Sequence, residues 1–402
     1  MKILIVSIDD SKSILAGGKH IHQELFEKGL TEMGHEVRTL YFEPKGKFWL
    51  WFRVWQKIIR SLMFRRWVNM PVSRWKFIER QIKKDLVLLL RAWTPDLISS
   101  QDPLAGRAAL EIVGKEIPVF ATLHGYFTRE MINYSYLHPK FELEEAREYC
   151  QQVEKDHIAG ASGVVAVDSN IGQYAREDLG YSRALLVRFN AIDDDRFNPI
   201  HEDERRKLKL KHALSHEQPV CLVARRLVLK NGVHQAIFAF GVVKKSTASF
   251  QLVILGDGPE AKNLKQQVIE EGISDHVIFK GSIPHAMVNE YYQLADLVLM
   301  PSTRSDDIEE ATSLSMLEGM ACGAPVLATA IGGMKEVIRD SENGFLTPDK
   351  DTDQMARKLQ MILNNLPELR RSVGNTASQE VHRYFGFRQH AHEILRFAQE
   401  NS

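Results

Sequence analysis

Two carboxylates, Glu310 and Glu318, stand eight residues apart in the stretch EEATSLSMLEG. If the whole stretch were helical they would lie about 12 Å apart on similar faces, too far for one shared proton relay. The other arrangement puts Glu310 in a loop before the helix and Glu318 two turns inside it, with the free N–H groups of the first turn between them. Thr312 and Ser313 are the residue types that cap such a start. A helix start of this kind favours an anion, most naturally a phosphate, and leaves an acid on either side to accept hydrogen bonds from hydroxyls. A diphosphate with a sugar at one end and a ribose at the other has that chemistry. The plain alternative is a pair of solvated helix acids.

Four further pieces bear on an anionic ligand. Arg225 and Lys230 in VARRLVLKNG follow an apolar run, where they can emerge at the end of a strand and stabilise charge building on a leaving diphosphate. Gly17 and Gly18 in LAGGKH stand between the first strand and a helix, where missing side chains let the backbone approach a ligand. His124 closes the apolar run of ATLHGY and has the chemistry to hydrogen-bond a substrate hydroxyl. The GDGPE turn, Gly256 to Glu260, ends another run without completing a G-x-G-x-x-G fingerprint, which argues against a nicotinamide dinucleotide.

The elements that must position these residues are short apolar runs alternating with helix-like segments. KILIVS, HEVRTLYF, DLISS, PVFATL and GVVAV occur in the first half, and PVCLVA, FQLVILG, HVIFKG, DLVLM, APVLATA and GFLTP in the second. Runs of this length predict parallel strands buried on both faces. Two series predict two doubly wound α/β domains, with ligands at the carboxyl ends of the strands and in the cleft between the domains. The polar, turn-prone RFNAIDDDRFNP, residues 188–199, is the predicted linker.

The 402 residues suffice for two cores, and 52 basic against 52 acidic side chains cancel. The overall charge therefore gives no reason to expect nucleic acid. Cys150, Cys221 and Cys322 are widely spaced, which predicts neither a disulfide framework nor a metal site and fits a reducing compartment. The opening MKILIVSIDD has too short an apolar run for a signal peptide, and no run approaches the roughly 18 apolar residues of a spanning helix. One region departs from this balance. Residues 45–84 carry twelve Lys or Arg against one acid, Glu79, and five of the six tryptophans. On a helix, Arg53, Lys57 and Arg60 fall within about 60° of each other, opposite Trp51, Trp55, Ile58 and Leu62. A basic face opposed to a tryptophan-rich face predicts contact with an anionic membrane or a lipid-linked acceptor. The competing reading is a helix packed on its domain with the basic edge in water.

Taken in order, AGGKH, TLHGYF, FNAIDDDRFNP, ARRLVLKNG, VILGDGPE, VIFKGSIPH, ADLVLMPS, EATSLSMLEGMACGAPVLATAIGGMKEVI and NGFLTP resemble the retaining family 4 glycosyltransferases of the GT-B fold. The resemblance runs over nearly the whole chain. It implies two Rossmann-like domains facing across a cleft: an acceptor-binding domain over 1–188 and a nucleotide-sugar donor domain over 189–384. A C-terminal helix within 385–402 would cross back to the first domain.

It further implies that Glu310 holds the hydroxyls of the transferred sugar, Glu318 holds the ribose, and the helix start at Thr312, Ser313 and Leu314 receives the diphosphate. Arg225 and Lys230 would neutralise the leaving nucleoside diphosphate. The Gly17–Gly18 loop would close against donor or acceptor, and His124 would contact the donor sugar. Arg225 rather than Arg226 matches the family arginine because it stands five residues before the lysine. The expected reaction takes a sugar from a UDP- or GDP-sugar to a glycan or lipid-linked acceptor with retention, without metal or other cofactor, in surface polysaccharide or glycolipid synthesis. The expected location is cytoplasmic and peripheral on the inner membrane face. Ala311, Ser313 and Ala224 stand where the family often has glycine. The alternatives are a nucleotide-sugar 2-epimerase on the same fold and a catalytically silent membrane-binding homologue.

Overall fold

The computed structural model describes residues 1–9, 18–42, 71–134, 140–246, 249–304 and 312–402. They form two compact units, one of Met1–Phe189 with His390–Ser402 and one of Asn190–Gln389. Each is built on a six-stranded parallel sheet.

In the first unit the strands are β1 (Lys2–Ser7), β2 (Glu36–Tyr41), β3 (Leu97–Ser100), β4 (Val119–Leu123), β5 (Gly163–Ala166) and β6 (Leu185–Val187). They pair in the order β2-β1-β3-β4-β5-β6. The central strands β3, β4 and β5 are buried along their whole length, whereas the edge strand β6 is half-buried. The helix Phe387–Glu400 lays Ala391, Ile394, Leu395 and Ala398 against Ile3 and Ile5 of β1, together with Phe26, Leu30 and Phe120. Full burial of side chains such as Ile394 and Leu395 contributes about 1.5–3 kcal/mol each, which fixes this last helix to the first unit.

Helix Pro71–Ala92 is amphipathic: Val72, Trp75, Ile78, Ile82 and Leu86 are buried, while Arg74, Lys76, Arg80 and Lys84 lie outside. Trp75 stacks on Tyr149 at 6.0 Å. Glu79, the single acid of the basic stretch, receives both arms of Arg107 at 2.7 Å. The inner part of that stretch is therefore packed on its own unit. Trp51, Arg53, Trp55, Lys57 and Arg60 lie outside the described residues. Among the described residues no helix is long and apolar enough to cross a membrane.

The second unit holds β7 (Val220–Ala224), β8 (Gln251–Leu255), β9 (Val277–Gly281), β10 (Leu297–Met300), β11 (Val326–Thr329) and β12 (Phe345–Thr347), ordered β12-β11-β10-β7-β8-β9. The order reverses between β7 and β10, so the crevice outside their carboxyl ends is where a doubly wound sheet binds its ligand. The segment predicted as a linker is fastened from Asn190 onward. Ala191, Ile192 and Phe197 are buried, Ile192 bridges Gly386, Asp194 accepts from the Phe387 backbone N–H, and Asp195 pairs with Arg388 at 2.9 Å.

Candidate active site

Arg225 is the first residue after β7, and Ser302 the second after β10, on either side of the point where strand order reverses. One guanidinium nitrogen of Arg225 donates to Ser302 Oγ, and another donates to Asn231 Oδ1 at 3.2 Å. Asn231 is fixed in turn by donating to the Arg226 carbonyl at 2.7 Å. Arg226 itself is exposed. The five-residue spacing from Arg225 to Lys230 ends in a short 3₁₀ turn, Leu229–Asn231. The Lys230 carbonyl accepts from Thr303 N–H at 2.9 Å, which ties this turn to the chain leaving β10.

Glycines allow the close backbone approaches. Gly232, at φ +64°, sits where an added Cβ would be 1.7 Å from the Pro301 carbonyl oxygen, and Gly256, at φ +122°, where one would be 1.9 Å from that of Arg225. No other residue type fits such positions without moving the backbone. The GDGPE turn thus buttresses Arg225 from behind instead of forming a dinucleotide loop.

The helix Leu314–Ala321 begins at the same end of the sheet. Ser313 occupies the N-cap position, but its side chain makes no capping hydrogen bond, contrary to the capping role expected for it. Thr312 and Ser313 are buried, with the Thr312 carbonyl accepting from Asn190 Nδ2 at 3.3 Å and Gly333 pressed against Thr312 from the loop after β11. Leu314 is the first helical residue and also buried. Ser315 donates to the Ala224 carbonyl at 3.1 Å, joining this helix to the strand end that carries Arg225. Glu318 is only 5% exposed, one turn into the helix. Burial and the Glu318 charge hold the Tyr292 phenol well above its ordinary range, and burial and the same charge raise the Cys322 thiol. Glu310 lies outside the described residues, as does Gly17.

In the first unit, His124 follows β4 and its Nε2 is 2.9 Å from Gln101 Oε1. Its ring meets His22 edge-on at 4.6 Å, and His22 meets His390 of the last helix edge-on at 4.8 Å. Burial, then the charges available to His22, Lys19, His390 and His20, press the His124 pKa well below the usual imidazole value, so the ring is neutral at pH 7. Gly18 opens the helix Gly18–Glu32 and is exposed; the adjacent Lys19 pairs with Asp9 at 2.5 Å. Asp102 Oδ2 accepts from Ile8 N–H at 2.7 Å while Oδ1 caps the helix Pro103–Val113.

Within the second unit, the structure therefore brings together Arg225, Lys230, Thr312, Ser313, Leu314 and Glu318 at one sheet end; it places His124 and Gly18 in the first unit. Sequence reasoning misses Ser302, Asn231, Tyr292, Gln101, His22 and His390. Asn231 alone had a local signal, the polar residue before glycine in LKNG.

The Glycosyltransferase Family 4 model matches residues 16–196 and the Glycosyl transferases group 1 model matches residues 204–380. The chain belongs to this family of glycosyltransferases and has its GT-B fold. It is 30% identical over 177 residues to the GDP-mannose-dependent alpha-(1-6)-phosphatidylinositol monomannoside mannosyltransferase of Mycolicibacterium smegmatis (strain ATCC 700084 / mc(2)155), covering 44% of this chain and 46% of that one. The chain spans about half the length of the curated relatives it matches. Among solved structures, sucrose-phosphate synthase from Thermosynechococcus elongatus superposes with a TM-score of 0.77 at 19% identity, over 99% of this chain and 98% of that one. Anabaena Alr3699/HepE in complex with UDP gives a TM-score of 0.71 at 20% identity over the whole of both chains.

Proposed function

We propose that the protein is a retaining glycosyltransferase that moves a sugar from a nucleoside diphosphate donor to a glycan or lipid-linked acceptor, in the assembly of a surface polysaccharide or glycolipid. The observation that carries this reading is Arg225, held by Ser302 and Asn231 at the switch point of the second sheet, beside the start of the helix Leu314–Ala321. As the sugar–phosphate bond breaks, negative charge grows on the diphosphate. A preorganised guanidinium, the Lys230 ammonium and backbone N–H groups stabilise it without reorganising. The sugar becomes oxocarbenium-like, and the leaving phosphate takes the proton of the acceptor hydroxyl on the same face, so configuration is retained.

In this reading Glu310 holds the sugar hydroxyls, Glu318 the ribose, and His124 the donor sugar. The phosphate charge is met by protein cations, and no resident metal or cofactor is required. The stretch with Trp51, Arg53, Trp55, Lys57 and Arg60 holds the enzyme on an anionic membrane at the cytoplasmic face, each cation contributing about 1 kcal/mol. One named relative is GDP-mannose-dependent and one structural neighbour is a complex with UDP, which keeps both bases in the test.

The test is thermal unfolding with UDP, GDP and ADP, followed by their sugars and a transfer assay. A nucleotide at a hundred times its dissociation constant adds about 2.7 kcal/mol of stability. UDP or GDP is expected to raise Tm, and Glu310→Ala to abolish transfer while Tm stays unchanged. No shift with any nucleotide and no transfer would refute the reading. Glutamate at Arg53, Lys57 and Arg60 should release the protein from anionic liposomes; unchanged co-sedimentation would remove the membrane element.

A further inference from the structure

Gln101 is almost completely buried, two residues beyond Ser99 on the chain leaving β3. Its amide nitrogen donates to Ser99 Oγ at 2.9 Å and to Thr122 Oγ1 at 3.4 Å, while its carbonyl oxygen faces His124 Nε2 at 2.9 Å. The count of hydrogens decides this orientation. A buried primary amide has two N–H groups to satisfy, and the two hydroxyls take one each. Turned over, the amide would spend one hydrogen on His124 and leave the other buried without an acceptor.

The carbonyl of Gln101 therefore accepts from His124, and the ring proton sits on Nε2. Nδ1 then carries the lone pair, and among the described residues it has no hydrogen-bond partner. The edge-on contact with His22 at 4.6 Å, backed by His390 at 4.8 Å, sets the plane of the ring. We propose that Gln101 is a positioning residue for sugar transfer: with His22 it holds His124 as the neutral Nε2–H tautomer, so that Nδ1 accepts a hydrogen bond from a hydroxyl of the donor sugar.

This rests on the proposed function for the identity of the ligand. A lone pair at that position takes a hydrogen bond from a hydroxyl. Burial first, and then the surrounding charges, keep the ring from charging. His22, His20 and Lys19 face it from the helix Gly18–Glu32 and His390 from the last helix, all of a sign that disfavours imidazolium. The opposing group is Glu130 of the helix Phe127–Tyr134, whose carboxylate stands against Gly125.

The tautomer is read in the unliganded protein by long-range proton–nitrogen NMR of ¹⁵N-histidine label, with His124 assigned by its loss in His124→Asn. The expected result is a protonated Nε2 and an unprotonated Nδ1, with no titration from pH 8 to 5.5. The opposite tautomer, or titration in that interval, overturns the inference. Gln101→Leu should mix the tautomers and raise the donor KM about tenfold, the size of one hydrogen bond, with a smaller change in kcat.

Gln101→Glu supplies the contrast. Its carboxylate still accepts from Nε2–H but favours the charged ring, raising the pKa of His124. Transfer should return towards wild type at high pH and fall as pH drops and Nδ1 gains a proton, a profile that a purely structural role does not produce. Unchanged tautomer, KM and pH profile in both variants would also overturn it. The expected tautomer in a protein that transfers no sugar would refute the proposed function and leave the geometry of His124 standing.

Discussion

Arg225 and Arg226 are neighbours of identical chemistry, and their surroundings divide the labour between them. Arg225 is half-buried with Ser302 and Asn231 holding its guanidinium, whereas Arg226 projects into solvent and contributes its backbone carbonyl to Asn231. Arg225→Ala should lower kcat/KM for transfer by about 10²–10³, the scale of one lost preorganised donor to developing charge. Arg226→Ala should change it by no more than about twofold, as surface substitutions do. Steady-state kinetics on the pair checks both, and an equal loss in the two variants would remove the assignment. The resemblance to the family pointed to Arg225 in the sequence through its five-residue spacing to Lys230. The reason for it, a 3₁₀ turn locked to the chain leaving β10, could not be read there because Thr303 and Pro301 are some seventy residues away.

At the scale of the element, helix Pro71–Ala92 shows how a basic, tryptophan-rich composition divides. Val72, Trp75, Ile78, Ile82 and Leu86 recur at helical spacing and face the core, and Arg74, Lys76, Arg80 and Lys84 face outward. The one inward charge, Glu79, is matched by Arg107, with the Tyr149 hydroxyl donating to the same carboxylate. Glu79→Ala leaves Arg107 with the looser carboxylate contact to Asp156 at 3.4 Å and the Tyr149 hydroxyl at 2.9 Å. Breaking a buried pair from one side costs about 3–5 kcal/mol, so urea unfolding of the variant should show a lower midpoint at unchanged slope. A loss below about 1 kcal/mol would mean that the pair is effectively solvated.

Most strands were legible for a simple reason: parallel strands buried on both faces are mostly apolar. β6 was not, because Leu185–Val187 is only three residues long. Gln101, His22 and His390 were not legible either. Each looks like an ordinary polar residue on its own element, and only the sheet order and the last helix bring them to His124.

For the whole molecule, buried neutral histidines set the acid limit of the first unit. Burial depresses His157 to about 3, and holds His124 and His390 well below the ordinary value, the latter two also opposed by neighbouring charges. All three stay neutral in the folded state while the unfolded chain protonates them below about pH 6.5. The unfolded state then binds more protons, so stability falls as pH falls, by about 1.4 kcal/mol per pH unit for each histidine. Acid unfolding followed by tryptophan fluorescence should show a steep loss between pH 6.5 and 5 that His157→Gln makes shallower. A flat stability profile over that interval would show that these rings titrate normally.

The sharing of residues 390–402 with the first unit also orders events in time. A ribosome delivers β1 through β6 early, but the side chains that close over β1, Ala391, Ile394, Leu395 and Ala398, are made only after the entire second unit. The first unit must therefore wait, with an apolar face on β1 exposed, through the synthesis of some two hundred further residues. At about 5–20 residues per second that interval lasts about 10–40 s, long enough for chaperones to act and for a nascent chain to be lost. A chain cut between residues 189 and 390 lacks the side chains that pack over β1.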